Sequence, residues 1–100
     1  MLSRNKIIEI LKKEFPRLKA EFSVKKIGIF GSYATGAAGK ASDVDIFIDF
    51  TKPIGLKFMD LAEHLEKILG KKVDILTPAG IKGIRIKQIS QSIKKSLIYV

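Results

Sequence analysis

The chain has 100 residues, 46% of them hydrophobic and 29% charged, with a formal net charge of +9 and no cysteine. A chain of this length can bury one small core but leaves no room for a separate substrate domain, so we predict one domain over residues 1–100. The absence of cysteine excludes disulfides and thiolate metal sites, and the apolar runs are shorter than the roughly 20 residues that cross a bilayer.

Positive charge is concentrated in two regions, residues 12–26 and 82–95, and no acidic residue follows Asp74. A strongly basic surface attracts polyanions such as nucleotides, nucleic acids or an acidic partner protein, although it can also serve only to keep a protein soluble. Charge alone does not choose between these interpretations. No secretory signal precedes the first amphipathic segment, so we expect a cytoplasmic protein without a membrane partner.

The first elements in chain order are a helix and a strand. Apolar residues recur at helical spacing over residues 7–15. Pro16 disfavours helical geometry at the residue before it, which predicts that the helix ends or bends there and that residues 17–22 add at most a short turn. The segment 24–30 is predicted to be a strand buried on both faces, and it ends abruptly at residues 31–32.

A second strand is predicted over residues 43–50, because apolar and acidic residues alternate along it. A helix follows, with an apolar stripe over residues 58–69 and Gly70 as its C-terminal stop, and then a short strand over residues 72–76. A basic amphipathic helix is predicted over residues 81–97, with an irregular end after it. The order α-β-(α)-β-α-β-α predicts an α+β fold, a small mixed β-sheet with helices packed on it.

Gly31 and Ser32 lie where the first strand gives way to a short predicted helix at residues 33–35. Backbone N–H groups at a helix start lack intrahelical partners and carry partial positive charge, so they attract phosphate. The glycine allows a phosphate to approach the backbone, and the serine hydroxyl adds a further hydrogen-bonding group. We therefore predict that these two residues bind phosphate.

Asp43 and Asp45 occupy the same face of the second strand, about 6.5–7 Å apart at Cα, which is close enough to share a metal site. The short connection between the first two strands favours an antiparallel pair, which would bring Gly31 and Ser32 beside both aspartates. The next helix is long enough for a parallel crossover, so Asp74 is the candidate third carboxylate. Oxygen ligands suit Mg²⁺ or Mn²⁺, and the third carboxylate could also accept the proton of an attacking hydroxyl.

Each of these features has a simpler explanation when it is taken alone. A Gly-Ser pair is common in turns, and an Asp-x-Asp pair often lies on a solvated strand edge. Two aspartates at the start of an apolar strand repel each other without a cation, however, which favours a site over a structural role.

His64, the only histidine, is predicted to be a half-buried packing residue rather than a general base.

Residues 31–45 resemble the G-S-x-x-x-G…S-D-x-D signature of the DNA polymerase beta-type nucleotidyltransferase superfamily. The matching positions are Gly31, Ser32, Gly36, Ser42, Asp43 and Asp45. The length of the chain and its segment 73–78 resemble the smallest branch, the minimal nucleotidyltransferases or MNT domains. The resemblance implies that Gly31 and Ser32 bind nucleotide phosphates and that Asp43 and Asp45 hold Mg²⁺. Asp74 matches the third acidic position.

The resemblance further implies an enzyme that transfers AMP from ATP to a tyrosine of a HEPN-type toxin and acts as its antitoxin. One alternative is an antitoxin or docking module that neutralises its partner by binding alone. Transfer to a small molecule or an RNA end is a second alternative. A nucleic-acid binder driven by the basic helices is a third.

The chain departs from the family pattern at two positions of the phosphate turn. Many members have arginines where this chain has Tyr33 and Thr35, so two phosphate contacts are missing. Lys40 or Arg85 are candidates to replace part of these contacts. Tyr33 is equally consistent with a role at the site, stacking on a base or lying over the site mouth, and with a plain surface position. Tyr99 is consistent with a partner contact or with no role.

Overall fold

The structure is a computed structural model that describes residues 2–39, 42–78, 93 and 95–100. The elements run in the order α1 (Arg4–Phe22), β1 (Val24–Phe30), α2 (Gly31–Thr35), β2 (Val44–Phe50), α3 (Lys57–Leu69), β3 (Val73–Leu76) and β4 (Ile98–Tyr99). The α+β class and the order of elements through the third strand agree with the prediction. The helix predicted over residues 81–97 falls, apart from residues 93 and 95–97, outside the described residues.

Helix α1 begins at a serine cap and continues through a proline. The Ser3 hydroxyl accepts a hydrogen bond from the Lys6 N–H at 3.2 Å. One alternative of the prediction, that the helix ends near Phe15, is wrong. Residues 17–22 belong to the same helix, and Pro16 lies inside it. Burial explains the difference, since one apolar stripe continues on both sides of the proline. The buried residues of this stripe are Ile7, Leu11, Leu18 and Phe22.

Replacing Pro16 with alanine is expected to stabilise the protein. Proline has no N–H to donate to the Lys12 carbonyl, and its ring crowds that turn of the helix, which together cost about 3 kcal/mol in a helix interior. Removing this cost stabilises the folded protein, but part of the stabilisation is offset because alanine leaves the unfolded chain more conformational freedom than proline does. Pro16 is exposed, so we expect a net rise of roughly 1–3 kcal/mol in the free energy of unfolding. Urea denaturation measures it, and an unchanged midpoint would show that the proline is accommodated without strain.

The strands of the described residues form a four-stranded sheet in the order β3-β2-β1-β4. Strands β1 and β2 are antiparallel, with Phe30 opposite Asp45. Strands β2 and β3 are parallel, with Asp45 opposite Asp74. The directions follow from the connections, because a short segment joins β1 to β2 whereas helix α3 forms the crossover from β2 to β3. Both predicted strand pairings are confirmed.

Alternation along β2 separates a core face from the face that carries the acidic residues. Val44, Ile46 and Ile48 are fully buried in the main core, together with buried residues of α1 and α3. On the opposite face, Phe47 packs with Phe30 in a smaller cluster, to which Leu76, Ile93 and Leu97 also belong. One face of the sheet therefore builds the core, and the other places the aspartates beside a small apolar cluster.

Strand β4 is absent from the prediction, which leaves the end of the chain irregular. Ile98 and Tyr99 pair antiparallel with β1, and the Val100 N–H donates to the Ile27 carbonyl at 2.9 Å. Gly28 permits this close pairing, since a Cβ there would lie 2.7 Å from the Ile98 carbonyl oxygen. Two residues are too few for an alternating pattern to show in the sequence.

Helix α3 is amphipathic and ends where the sequence predicts. Leu61, Leu65 and Leu69 are its buried residues. Gly70 takes a left-handed backbone with φ of 68°, and its N–H donates to the Glu66 carbonyl. Within the part of the chain that the structure describes, no helix has both the length and the apolar character needed to cross a membrane.

Candidate active site

The turn between β1 and α2 is built around Gly31. Phe30 is extended, and Gly31 then adopts a left-handed backbone with φ of 68°, from which α2 starts. The Thr35 hydroxyl donates to the carbonyls of Gly31 and Ser32, each at 3.3 Å. Gly36 ends the helix in a second left-handed conformation. The strand-to-helix turn that the sequence predicts at Gly31 and Ser32 is therefore present.

The Asp45 carboxylate lies directly against the backbone of Gly31. A Cβ added to Gly31 would overlap the carboxylate oxygen and would lie 3.1 Å from Cγ of Asp45. The preceding residue, Phe30, is opposite Asp45 in the antiparallel register. Glycine is needed here both for its positive φ and for the space it leaves. The structure thus brings the predicted phosphate turn and one predicted carboxylate together.

The three predicted carboxylates lie on or immediately before two neighbouring strands, at the same end of the sheet. Asp45 and Asp74 are opposite each other in the parallel register of β2 and β3. Val73 and Ile75 pack on the core, as predicted, so Asp74 faces the other way, toward the side of Asp45. Asp43 immediately precedes β2. Asp45 is half-buried, whereas Asp43 and Asp74 are exposed.

Burial and like charge both act on Asp45. Partial burial raises the pKa of Asp45 above its ordinary value of 3.8, and the charges of Asp74 and Asp43 raise it further. Both neighbours are therefore near enough to disfavour a charged Asp45. A divalent cation would offset the burial and the repulsion together. The oxygen ligands and the concentrated negative charge thus fit Mg²⁺ or Mn²⁺.

The carboxylates are not gathered into a ready-made metal cage. Across residues 2–39, 42–78, 93 and 95–100, no three Asp, Glu, His or Cys side chains converge closely enough to hold an ion by themselves. Magnesium usually keeps several waters and takes one or two carboxylates together with substrate phosphates. Asp43, Asp45 and Asp74 would be the residues that hold it here, and their assignment as metal ligands stays a prediction.

The raised pKa of Asp45 predicts how stability depends on pH. The folded protein holds the Asp45 proton more tightly than the unfolded chain does, so the contribution of this group to the free energy of unfolding falls as pH rises from below 3.8 through the raised pKa. We therefore expect Asp45→Asn to be more stable than the wild type near neutral pH, with a difference that shrinks at acid pH. Thermal unfolding across this range measures it. A difference that does not depend on pH would contradict this assignment.

Two residues that support the turn were not identified from the sequence. The Ser96 hydroxyl accepts a hydrogen bond from the Gly31 N–H at 3.3 Å and donates one to the Ile93 carbonyl at 3.2 Å. The Arg4 guanidinium donates to the Ala34 carbonyl at 3.2 Å, which ties α1 to α2. The first contact joins residues 65 positions apart and the second joins residues 30 apart, so no local pattern could have identified either.

Tyr33 and Thr35, at the positions where many family members have arginine, bring no positively charged side chain to the turn. Tyr33 is buried, at 4% exposure, and the Lys71 ammonium lies 5.9 Å from the centre of its ring. The interpretations offered for Tyr33, namely base stacking, a position over the site mouth and a plain surface position, are therefore wrong, because the ring belongs to the core. The Thr35 hydroxyl is engaged within the turn. Lys40 and Arg85 lie outside the described residues.

His64 packs between helices and takes no part in the site. Its Nε2 atom lies 3.4 Å from Oε2 of Glu14, and its ring stacks on Phe22 with the centroids 6.3 Å apart. The side chain is 19% exposed. The contacts link α3 to α1, so the predicted packing role of this histidine is confirmed.

Comparison with known proteins establishes the family. The nucleotidyltransferase domain model matches residues 4–100. The protein adenylyltransferase MntA of Thermococcus cleftensis is 39% identical over 101 residues, a match that covers 100% of this chain and 98% of the relative. The chain therefore belongs to the nucleotidyltransferase domain family. It is a nucleotidyltransferase, similar to MntA along its whole described length.

Solved structures share the fold. A crystal structure of a toxin-antitoxin with AMP-PNP has a TM-score of 0.62 at 24% identity, and the match covers 98% of this chain and 72% of that chain. A structure of tri-AMPylated Shewanella oneidensis HEPN toxin in complex with MNT antitoxin has a TM-score of 0.54 at 22% identity, covering 96% of this chain and 66% of that chain. At these identities the likeness establishes the arrangement of sheet and helices.

Proposed function

We propose that the protein transfers AMP from ATP to a hydroxyl group of a partner protein, a tyrosine of a HEPN-type toxin, and thereby acts as its antitoxin. The observation that carries the proposal is the packing of the Asp45 carboxylate against Gly31, in register with Asp74. The names of similar proteins support it, because one relative is a protein adenylyltransferase and one neighbour in fold is bound to an AMPylated HEPN toxin.

In this proposal the start of α2 binds the triphosphate. The first N–H groups of a helix have no acceptor within the helix, so the N–H groups of Ser32 and Tyr33 are not used inside α2. The N–H of Gly31 already donates to Ser96. We therefore assign the phosphate contacts to the backbone and hydroxyl of Ser32, and assign to Gly31 the role of leaving space for the phosphate.

The proposed chemistry uses the three aspartates. Asp43, Asp45 and Asp74 would hold Mg²⁺, which when bound neutralises phosphate charge and orients the triphosphate. The acceptor oxygen attacks the α-phosphorus, the bond from that phosphorus to the oxygen of the β-phosphate breaks, and pyrophosphate leaves. We assign to Asp74, which is exposed, the uptake of the hydroxyl proton. AMP remains esterified to the acceptor.

The acceptor is proposed to belong to a second protein. Asp43 and Asp74 are exposed, so a hydroxyl on a large molecule can approach the carboxylates from solvent without a channel. Residues 1–100 are proposed to work as one nucleotidyltransferase domain in the cytoplasm, where ATP is available. The acceptor-binding surface would then be shared between this domain and the partner.

Neutralisation of the partner by binding alone is the second candidate function. It is favoured by the turn, where Tyr33 and Thr35 bring no positive charge to a phosphate, and by the separation of the carboxylates among the described residues. Under this alternative, a variant with Asp43→Asn and Asp45→Asn would neutralise the toxin as well as the wild type does.

The test is to supply ATP labelled at the α-phosphorus, Mg²⁺ and a candidate HEPN-type partner. We expect the partner to gain the label, and to gain none when the label is on the γ-phosphorus, because pyrophosphate leaves with the outer two phosphates. Chelating the Mg²⁺ should abolish transfer. Labelling from the γ-position, or no labelling under any of these conditions, would contradict adenylyl transfer.

A further inference from the structure

A basic groove runs between helix α1 and the edge of the sheet formed by β1 and β4. One hollow of the groove, of about 200 Å³, is lined by Phe15, Lys25, Lys26, Ile27, Tyr99 and Val100. A second hollow of about 260 Å³ shares Phe15 and Val100 with the first and adds Lys12. We call the two together the basic groove. None of the residues assigned to the nucleotide or the metal takes part in it.

The groove has an apolar floor and a charged rim. Ile27 is fully buried, and Phe15 and Val100 are half-buried, so the floor is made of hydrocarbon side chains. Lys12, Lys25 and Lys26 are exposed around it. Among the described residues, none of these lysines forms a salt bridge. The described residues that line the groove include no carboxylate side chain.

Both aromatic rings of the groove already contact an ammonium group. Lys19 lies over the ring of Phe15 at 5.6 Å from its centre, and Lys26 lies over the ring of Tyr99 at 5.8 Å. The Tyr99 ring also lies edge-to-face with Phe47, at 6.0 Å between centroids. Tyr99 is nevertheless 53% exposed. The rings therefore hold lysine side chains around the groove and offer apolar surface at their edges.

We propose that the basic groove docks an acidic segment of a partner protein in which carboxylates flank an aliphatic or aromatic side chain. The apolar side chain would enter the hollow over Phe15, Ile27 and Val100, and the carboxylates would pair with Lys12, Lys25 and Lys26. The net charge of the chain, +9, would speed the encounter with such a segment. This inference goes beyond the proposed function, since it needs neither ATP nor transfer.

A protein segment fits these observations better than single-stranded nucleic acid does. Bases bind such surfaces by stacking on open aromatic faces, whereas Phe15 and Tyr99 each have a lysine over one face. An apolar floor within the groove favours an aliphatic or aromatic side chain over a phosphate or a sugar. Nucleic acid is therefore an outcome of the test and not the occupant that we assign.

The lysine rim of the groove and the phosphate turn lie at opposite ends of β1. The groove adjoins Lys25 and Lys26 near the start of β1, whereas Gly31 follows the end of that strand. Lys26 and Gly31 are five residue steps apart along an extended chain, which is about 16 Å. A partner held in the groove could therefore leave the carboxylates open, and binding can be measured apart from catalysis.

The test uses fluorescence anisotropy with the full chain and three labelled probes at physiological salt. The first probe is a synthetic peptide of alternating glutamate and leucine or phenylalanine. The second has serine in place of every leucine and phenylalanine, and the third is an oligouridylate of the same charge. We expect the first peptide to bind at least about tenfold more tightly than either of the others, because only it fills the apolar floor.

Charge reversal at the rim gives the matched comparison. Lys12→Glu with Lys25→Glu is expected to weaken binding of the first peptide by about tenfold or more, since two attractions become repulsions. Lys13→Glu with Lys67→Glu changes the net charge equally outside the groove and should leave affinity within about twofold. Amide shifts of the wild type on peptide addition should map to residues 12–15, 24–27 and 98–100. Tighter binding of the RNA, equal loss in both variants, or shifts elsewhere would each overturn the proposal.

Discussion

Replacing Asp43 and Asp45 together with asparagine is expected to lower the rate of the proposed AMP transfer by roughly 10³-fold or more, because the cation that they are proposed to hold would supply several kcal/mol of charge stabilisation in the transition state. The same change is expected to raise the melting temperature, since burial and like charge both penalise the ionised form of Asp45. A large loss of rate joined to a gain in stability distinguishes residues kept for chemistry from residues kept for the fold.

Asp49→Asn is the matched control for this pair. Asp49 is on β2 and on the same face as Asp45, but it lies about 13 Å farther along the strand, beyond a common metal site. We expect it to keep the wild-type rate. Addition of Mg²⁺ should raise the melting temperature of the wild type and of Asp49→Asn, but not that of the double variant. A double variant that retains the wild-type rate would overturn the assignment of Asp43 and Asp45 to the catalytic site.

Replacing Gly31 with alanine is expected to damage both the fold and the site. The positive φ of 68° strains any residue with a Cβ, and the new methyl group would overlap the Asp45 carboxylate. We expect the free energy of unfolding to fall by roughly 1–3 kcal/mol, from the backbone strain and the contact together. We also expect transfer to slow by about 10²-fold, because a carboxylate displaced by 1 Å loses its alignment with the reacting atoms.

Gly36→Ala separates the two effects. Gly36 also has a positive φ, of 82°, but a Cβ there would meet nothing within 4 Å. We expect a similar loss of stability, of about 1–2 kcal/mol, with transfer close to the wild-type rate at a temperature where both variants are folded. Denaturant titration and initial rates on the same preparations provide the comparison. Equal loss of rate in both variants would show that the turn needs its backbone shape and not the contact between Gly31 and Asp45.

The carboxylate arrangement could be predicted because it depends on spacing along the chain. Alternation along residues 43–50 assigns Asp43 and Asp45 to one face, and the lengths of the connections set the directions of β1, β2 and β3. These directions bring Gly31, Asp45 and Asp74 to one end of the sheet, as the registers confirm. Periodicity and topology were sufficient for this part of the site.

Other features depend on contacts that no local pattern encodes. The bond between Gly31 and Ser96 joins distant parts of the chain, and β4 consists of only two residues. The helix continues through Pro16, because packing of the apolar stripe on both sides of the proline outweighs the intrinsic preference of one residue against helix. Tyr33 was misjudged because α2 turns its ring into the core.

Asp74 is opposite Asp45 only in the present register of β3. This register depends on the number of residues that connect α3 to β3. Gly70 ends the helix and Val73 begins the strand, so the number of residues between them affects which side chains of β3 point toward the proposed nucleotide site. Side chains alternate in a strand, and the loss of one residue there would turn Asp74 into the core and present a branched hydrocarbon in its place. An insertion or deletion that shifts β3 by two residues would preserve the facing but would move Asp74 about 7 Å along β2, away from Asp45. Only the present register of β3 therefore gives both the facing and the pairing.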